Sequence, residues 1–461
     1  MAATQLHFSG AQQDQAHAQN GYSQHVNPQW VRLLDVLQMN VRYTRCVGAE
    51  LFTEDGTRIL DFLSGYCVHN LGHNHPAVIA ALHDELDRCG PAMLQSHVAE
   101  LAGELAAELV RLAGGGLTKV YFGSSGSEGV DTAIKFARAH TRRNGLLYAK
   151  DGFHGLSCGP LSLMADTQWS KGFGPMLAET EHVPIGDVTQ LERKLATRKF
   201  AAYILEPVQS EAGIQVPTRE YLQQAQTLCR RYGTLFVLDE VQTGFYRTGK
   251  FLAAHHYGLQ ADMIVLAKAL SGGLVPSGAV LMTEEVYEAV YDSLGRSIIH
   301  TSTYSENNLA MRAGLAALHA MQSENLGQRS EVLGEKLRQL LREALSDYDM
   351  VEEVRGLGML NGIAFRAPKK LQQRLAFEAF RHIHPGMFGQ MVVMRLFREQ
   401  KILTQICGNN LMVLKVAPPL IVSEEQIQEF VTSVKQVMDV IHSSGAFWQD
   451  ALQLAKRAVN I

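Results

Sequence analysis

Lys268 closes an apolar run, Asp262-Met-Ile-Val-Leu-Ala-Lys268, and a second run, Leu235-Phe-Val-Leu-Asp239, ends in a carboxylate 29 positions earlier. A lysine and an aspartate at the carboxyl ends of two buried strands, one strand-helix unit apart, match what a pyridoxal phosphate site needs. The lysine forms the Schiff base, and the aspartate holds the pyridine nitrogen protonated so that the ring can act as an electron sink. In open α/β sheets ligands sit outside the carboxyl ends of the strands, where these two side chains emerge.

Other segments offer complementary chemistry. Lys119-Val-Tyr-Phe-Gly-Ser-Ser-Gly-Ser-Glu128 reads as a strand, a small-residue loop and a helix start. There Ser125, Gly126 and Ser127 can turn N–H groups and hydroxyls toward an anion, although a serine-rich helix cap without any ligand is the commoner case. In Gly152-Phe-His-Gly155 the aromatic Phe153 can lie flat on a cofactor ring, with His154 beside it. The plain alternative is a buried loop aromatic. Glu206-Pro-Val-Gln-Ser-Glu211 ends another strand, and its two carboxylates are assigned positioning roles rather than proton transfer. In Asp239-Glu-Val-Gln-Thr-Gly244, Val241 is expected against the ring face opposite Phe153, and Gln242 is expected to reach the ring hydroxyl. A strand-end carboxylate can also hold Mg²⁺, but the carboxylate-rich and phosphate-binding lysine patterns of such sites are missing. His300-Thr-Ser-Thr-Tyr304 is a hydroxyl-rich passage suited to phosphate.

The elements that must position these residues follow from the pattern. From Lys119 onward, the apolar runs Lys119–Phe122, Leu146–Ala149, Ala201–Leu205, Thr234–Leu238, Asp262–Leu266 and Gly278–Met282 alternate with helical stretches. That rhythm predicts an α/β fold with a mostly parallel sheet. Upstream, Asp55-Gly56 between Val47–Phe52 and Ile59–Asp61 predicts a hairpin. A long helical stretch is expected from Asn308 to Leu345, then a separate α+β segment closing with helices from Glu424. Phe377 to Gln400 carries Phe380, Ile383, Met387, Phe388, Met391, Met394 and Phe397 at helical spacing. Core packing is its default reading, and an entrance for an apolar chain is the alternative.

With 461 residues, two or three domains are expected. A net charge of −4 leaves no electrostatic footprint for nucleic acid or acidic membranes. No apolar run approaches a membrane span. The six cysteines are scattered without a CxxC pair or a metal-type cluster, which points to reduced thiols, a cytoplasmic location and no bound metal. Residues 1–28, rich in Gln, Ala, His and Ser with Asp14 as their only charged side chain, read as a flexible tail or linker. Such a segment would suit a chain cut from a longer protein.

These motifs, in this order, resemble class III pyridoxal-phosphate aminotransferases, the group with ornithine, 4-aminobutyrate and putrescine aminotransferases. The resemblance runs from Gly48 onward and includes Leu71-Gly-His-Asn-His-Pro76, Ser125-Gly-Ser-Glu128, Ala267-Lys268 and Pro418-Pro-Leu420. It implies fold type I, with a large seven-stranded α/β domain and a small α+β domain built from both chain ends. The corresponding limits are an N-terminal segment over 29–75, a large domain over 76–335 and a small C-terminal domain over 336–461. It further implies a homodimer with sites at the subunit interface and small-molecule amine and carbonyl substrates. By motif, Lys268 is the Schiff-base lysine, Asp239 the pyridinium partner and Phe153 the stacking aromatic, while Ser125, Gly126 and Ser127 hold the phosphate. Thr303 would complete that cup from the neighbouring subunit. His154 and Glu206 join the cofactor contacts, and Tyr66, Glu211 and Lys415 fall on the substrate side.

Three departures from the family pattern stand out. Phe153 replaces a frequent tyrosine, and Tyr304-Ser-Glu-Asn-Asn308 replaces a glycine-rich loop. Lys415 stands where an arginine usually grips a substrate carboxylate, and lysine lacks the planar fork. In some relatives a glutamate holds that arginine off, and its match here is Glu211, so a persistent Lys415–Glu211 pair is expected. That pair, with the Met- and Phe-rich stretch after Phe377, points to an acceptor without an α-carboxylate, and the resemblance implies a biosynthetic pathway. Within the family, the 300–308 passage and the linker-like tail are similar to the aminotransferase domain of prodigiosin assembly, which aminates a keto-aldehyde. The alternatives are an ornithine-, putrescine- or 4-aminobutyrate-type enzyme of amine catabolism, an aminomutase of the same fold, and a non-enzymatic binding protein.

Overall fold

The computed structural model describes residues 21–94, 96–164, 168–383 and 385–443. Most of the expected tail lies outside these residues. Its last part is helical over 21–25, and Asn27 then caps the helix Pro28–Leu37 by accepting the Trp30 N–H at 3.0 Å.

Fifteen strands follow one another among the described residues: β1 (Tyr43–Val47), β2 (Glu50–Thr53), β3 (Arg58–Asp61), β4 (Lys119–Gly123), β5 (Gly145–Ala149), β6 (Thr180–Val183), β7 (Phe200–Leu205), β8 (Leu235–Asp239), β9 (Met263–Leu266), β10 (Gly278–Met282), β11 (Val351–Leu357), β12 (Leu360–Phe365), β13 (Ile402–Leu403), β14 (Gln405–Ile406) and β15 (Val413–Val416). Seven of them form one sheet in the order β4-β10-β9-β8-β7-β5-β6. All neighbours in it run parallel except β10, which is antiparallel to both β4 and β9. Strands β7, β8 and β9 are buried along their whole length, as parallel strands covered by helices on both faces must be. Tyr203, Phe236 and Ile264 enter the larger core on one face, while Ile204, Val237 and Val265 enter a second core on the other. The helix Gly126–Thr141 lies close on that second face. A Cβ at Gly129 would stand 2.7 Å from Val265 Cγ1, so the glycine sets the approach.

Both ends of the described chain build the remaining structure. One sheet has the order β1-β2-β3-β13, in which β13 near the C-terminus pairs parallel with β3, and the other has the order β11-β12-β15-β14. The expected hairpin is β2–β3, with Gly56 at φ 82° in its turn and the Asp55 carboxylate accepting from Thr53 and Thr57. β1, not expected as a strand, adds to its open edge.

The expected helix over Asn308–Leu345 is two helices, Asn308–Ser323 and Leu326–Leu345, broken where Asn325 takes a left-handed φ of 52°. Likewise Phe377–Gln400 spans parts of two helices, Leu371–Ile383 and Met387–Gln400. Phe377, Met387, Phe388, Met391, Met394 and Phe397 are buried, and Phe388 packs edge-on to Phe365 with ring centroids 5.3 Å apart. The side chains of Phe380 and Ile383 lie outside the described residues. Core packing is therefore what the described part of this Met- and Phe-rich stretch does. C-terminal to it, the helix Glu424–Ser443 closes the described chain. No described helix is long and apolar enough to cross a membrane.

Candidate active site

The carboxyl ends of β8 and β9 open into a cavity of 420 Å³. Ser125, Gly126, Ser127, Phe153, His154, Glu206, Asp239, Val241, Gln242 and Lys268 all line it, although they come from five separate segments. Tyr66, Glu211, Lys415 and Thr303 do not. Glu211 and Lys415 are buried behind Gln242, and Thr303 is exposed outside the cavity.

Lys268 follows β9 at the start of a short 3-10 turn, with φ at 49°. A left-handed lysine is a strained choice that the surrounding turn must enforce, and here it sends the side chain into the cavity. Burial lowers the Lys268 pKa and outweighs the opposing charge of Asp239, which favours the neutral, nucleophilic amine.

Asp239 ends β8 with its carboxylate buried. Its Oδ2 lies 2.8 Å from His154 Nδ1, and its Oδ1 accepts the Val241 N–H at 3.1 Å. Burial works against an imidazolium at His154, but the hydrogen bond to Asp239 and the charges of Asp239 and Glu206 prevail and raise its pKa. Glu206 accepts the N–H of Phe153 at 2.9 Å and of Ser210 at 3.0 Å, which fixes the Phe153 backbone. Its own pKa is pushed up to about 7, chiefly by burial, with His154 opposing and Asp239 adding to the rise.

At the other end of the cavity, Ser125 caps the helix Gly126–Thr141 by accepting the Glu128 N–H at 3.2 Å. The Glu128 carboxylate returns the contact to Ser124 N–H at 2.7 Å. The first N–H groups of this long helix, on Gly126 and Ser127, need no intrahelical acceptor and face the cavity with the positive end of the dipole. A Cβ on Gly126 would stand 2.8 Å from Val241 Cγ2, so only glycine lets this turn sit against Val241, two residues past Asp239. Ser277 also lines the cavity, and its buried hydroxyl has no hydrogen-bond partner. Next to it, a Cβ on Gly278 would lie 2.6 Å from the Ser125 carbonyl, so Ser277 adjoins the serine turn. An anion cup, a lysine and a buried carboxylate within one cavity of this size fit pyridoxal phosphate.

Gln242 lines the cavity and is also tied to the buried pair behind it. Its Oε1 accepts from Lys415 at 2.9 Å, and its Nε2 donates to Glu211 Oε1 at 3.1 Å. The ammonium needs an acceptor and the carboxylate a donor, so the amide orientation is fixed. One N–H remains for any further partner. The expected Lys415–Glu211 pair is present and wholly buried. Burial opposes both charges, but Lys415 holds the Glu211 carboxyl down at about 2, and Glu211 raises the lysine. The Tyr66 ring stands 5.1 Å from Lys415 Nζ.

Sequence reasoning missed two supports. The loop Gly273–Ser277 forms one wall of the cavity, and Gly272-Gly273 with Pro276 so soon after Lys268 was a readable turn signal. Arg247, wholly buried, had no such signal. It donates to Ser64 Oγ, Asn70 Oδ1 and the carbonyls of Met359 and Pro418. It thereby anchors the turn Ser64–Cys67, whose four residues all have φ between 46° and 69°, and with it Tyr66.

Sheet order, lysine, aspartate and anion cup together define a fold type I, pyridoxal-phosphate-dependent enzyme. The chain belongs to the class-III aminotransferases, whose family model matches residues 34–438. It is 33% identical over 449 residues to aminotransferase PigE of Serratia sp. (strain ATCC 39006), covering 91% of this chain and 53% of that protein. The chain thus spans about half the length of that relative. It is 34% identical over 403 residues to putrescine aminotransferase of Pectobacterium atrosepticum, covering 86% of this chain and 81% of the other. An ornithine aminotransferase structure from Toxoplasma gondii superposes with a TM-score of 0.78 at 26% identity, over 93% of this chain and 98% of that one. A pyridoxal-phosphate-bound amine transaminase from an uncultivated Pseudomonas species gives 0.76 at 27% identity, over 87% and 95%.

Proposed function

We propose that this aminotransferase moves an amino group from an amine or amino-acid donor to an aldehyde or ketone lacking an α-carboxylate, as a biosynthetic step. The observation that carries the reading is the buried Lys415–Glu211–Gln242 cluster. A carboxylate clamp needs a cation free to make two parallel hydrogen bonds, and Lys415 offers a single-point contact that is already taken. Amination of a medium-chain keto-aldehyde, as in prodigiosin-type assembly, is the narrower form of this reading.

In this assignment Ser125, Gly126 and Ser127 would hold the cofactor phosphate, and Phe153 and Val241 would hold its ring. Asp239, oriented by His154, would hold the proton on the ring nitrogen, and Glu206 fixes the backbone of Phe153. Pyridoxal phosphate, when bound, supplies the electron sink that makes the substrate carbon acidic. The Lys268 amine, whose charged form burial disfavours, would be the group that moves the proton to and from that carbon.

Initial-rate measurements with octanal and with 2-oxoglutarate as competing acceptors test the reading, and the aldehyde is expected to be preferred. Exclusive use of 2-oxo acids would place the enzyme with the amino-acid, ornithine or putrescine type instead. An aminomutase would turn over one substrate with no response to added acceptor. Lys415→Arg restores the planar fork and is expected to shift kcat/KM toward 2-oxoglutarate by about tenfold relative to octanal.

The second part of the proposal is that Thr303 serves the neighbouring subunit of a homodimer. Thr303 is exposed and lies outside the cavity of its own chain. Chains carrying Lys268→Ala or Thr303→Ala should each form impaired homodimers. Mixing them should recover activity, because a heterodimer gathers both defects into one site and leaves the other whole. Failure to recover, with subunit exchange verified by mass spectrometry, would mean that Thr303 acts within its own chain.

A further inference from the structure

The Glu211 carboxylate is engaged at both oxygens. Oε1 meets Lys415 and the Gln242 amide, and Oε2 accepts the Gly408 N–H at 2.8 Å. The Glu211 backbone carbonyl also accepts the N–H of Asn409 at 2.9 Å and of Asn410 at 3.3 Å. The 408–410 loop therefore grips this residue at side chain and main chain alike. Trp169 in turn grips the loop. Its indole N–H donates to Asn409 Oδ1 at 2.9 Å, and the adjacent Gln168 amide donates to the Gly408 carbonyl at 3.0 Å. Asn409 is tied back by its own amide to the Asp151 carbonyl at 2.7 Å.

The indole also reaches the cavity wall. It stands edge-on to Phe153, with ring centroids 5.6 Å apart and planes at 83°. A Cβ on Gly408 would be 3.1 Å from Glu211 Oε2 and 3.2 Å from Trp169 Cζ2, so carboxylate and indole converge on the one residue that has no side chain. A single residue thus spans from the aromatic beside the cofactor cavity to the loop that holds the Lys415–Glu211 pair.

We propose that Trp169 is a specificity-determining residue that walls the substrate side of the site beside Phe153 and latches Glu211 onto Lys415 through the 408–410 loop. The proposal rests on the acceptor assignment above. Separating a buried ion pair leaves two uncompensated charges, so an incoming carboxylate has to replace Glu211 at Lys415 to be accepted. The loop contacts of Glu211 raise the cost of that exchange. The indole itself backs Phe153 edge-on and so sets the position of the apolar ring that lines the cavity. Trp169 acts through its neighbours and not on the reacting atoms.

The test compares loaded wild-type enzyme with Trp169→Ala, Trp169→Phe and Asn409→Ala, using octanal and 2-oxoglutarate as acceptors. Trp169→Ala should raise the ratio of kcat/KM for 2-oxoglutarate to that for octanal by about tenfold, largely through a higher KM for octanal and a lower one for the oxo acid. Cofactor absorbance and melting temperature report whether the site is otherwise intact. Trp169→Phe keeps an aromatic edge and loses the N–H to Asn409, so it should hold the octanal KM near wild type yet shift the oxo-acid KM downward. Asn409→Ala should give the same oxo-acid shift, and it decides the question should Trp169→Ala fail to load. An acceptor ratio in the loaded variants within about twofold of wild type overturns the latch. Wild-type enzyme that prefers 2-oxoglutarate overturns the acceptor assignment instead, whatever the variants do.

Discussion

Lys268→Ala is expected to lose turnover by about 10⁴-fold or more, because in the proposed assignment one side chain supplies both the covalent link to the cofactor and the base that moves the substrate proton. The loss should be chemical and not a failure of binding. The anion cup at Ser125–Ser127, the flanking Phe153 and the Asp239 carboxylate lie on other segments and do not depend on the lysine. Alanine at this position must still adopt the left-handed φ of 49°, but lysine bears the same strain, so the fold should be little affected. The variant should therefore retain noncovalent cofactor, with no cofactor fixed to protein by borohydride. Borohydride trapping at a second lysine, or turnover at the wild-type rate, would remove Lys268 from the centre of the mechanism.

The strands that carry this lysine and its aspartate were legible because they are fully buried and short. An unbroken apolar run ending in a charged residue has few other readings in an α/β chain. The edge strand β6 was not legible from its own residues. Thr180, Glu181 and His182 are only half-buried and Val183 alone is enclosed, so no apolar run marks it. β1 failed for the same reason, since its residues are largely exposed and it is held by pairing with β2. The two long helical stretches were read with the right type and the wrong continuity. A single left-handed residue, Asn325, ends one helix and leaves the hydrophobic period unbroken across it.

The site divides along the same line. Lys268, Asp239 and the serine turn announce themselves because each sits at a strand end or a helix start, where local pattern and chemistry coincide. The cluster of Lys415, Glu211 and Gln242 does not, because its members come from three distant segments, and only the family resemblance paired the first two. What the pattern could not supply was a second role for Gln242. A residue three positions past Asp239 and one past Val241 was expected at the ring; it lines the cavity, and its amide also bridges the two charges of the pair. The cause is a satisfaction requirement. A buried ammonium and a buried carboxylate need more hydrogen-bond partners than they give each other, and Gln242 is the amide in reach of both.

Asp239→Asn should keep most of the bound cofactor and lose about 10²- to 10⁴-fold in the rate of proton removal from the donor. Part of the loss is direct, since a neutral amide cannot hold a proton on the ring nitrogen, and the sink is weakened at the step that needs it. The rest comes from His154. In the wild-type chain the carboxylate pairs with His154 Nδ1 at 2.8 Å, while Nε2 is buried with no partner. An asparagine Nδ2 at that oxygen's position is a donor facing Nδ1, and it removes the carboxylate that raises the His154 pKa. A protonated Nδ1 then loses its acceptor at a cost of about 1–3 kcal/mol, or the ring turns and gives up its hold on residue 239. Either outcome also disturbs the pocket that Glu206 shares with His154. Single-turnover measurement of donor proton exchange, with the visible band used to count loaded sites, separates the chemical loss from cofactor loss. Proton exchange at the wild-type rate in a fully loaded Asp239→Asn enzyme would assign the tuning of the ring to another residue.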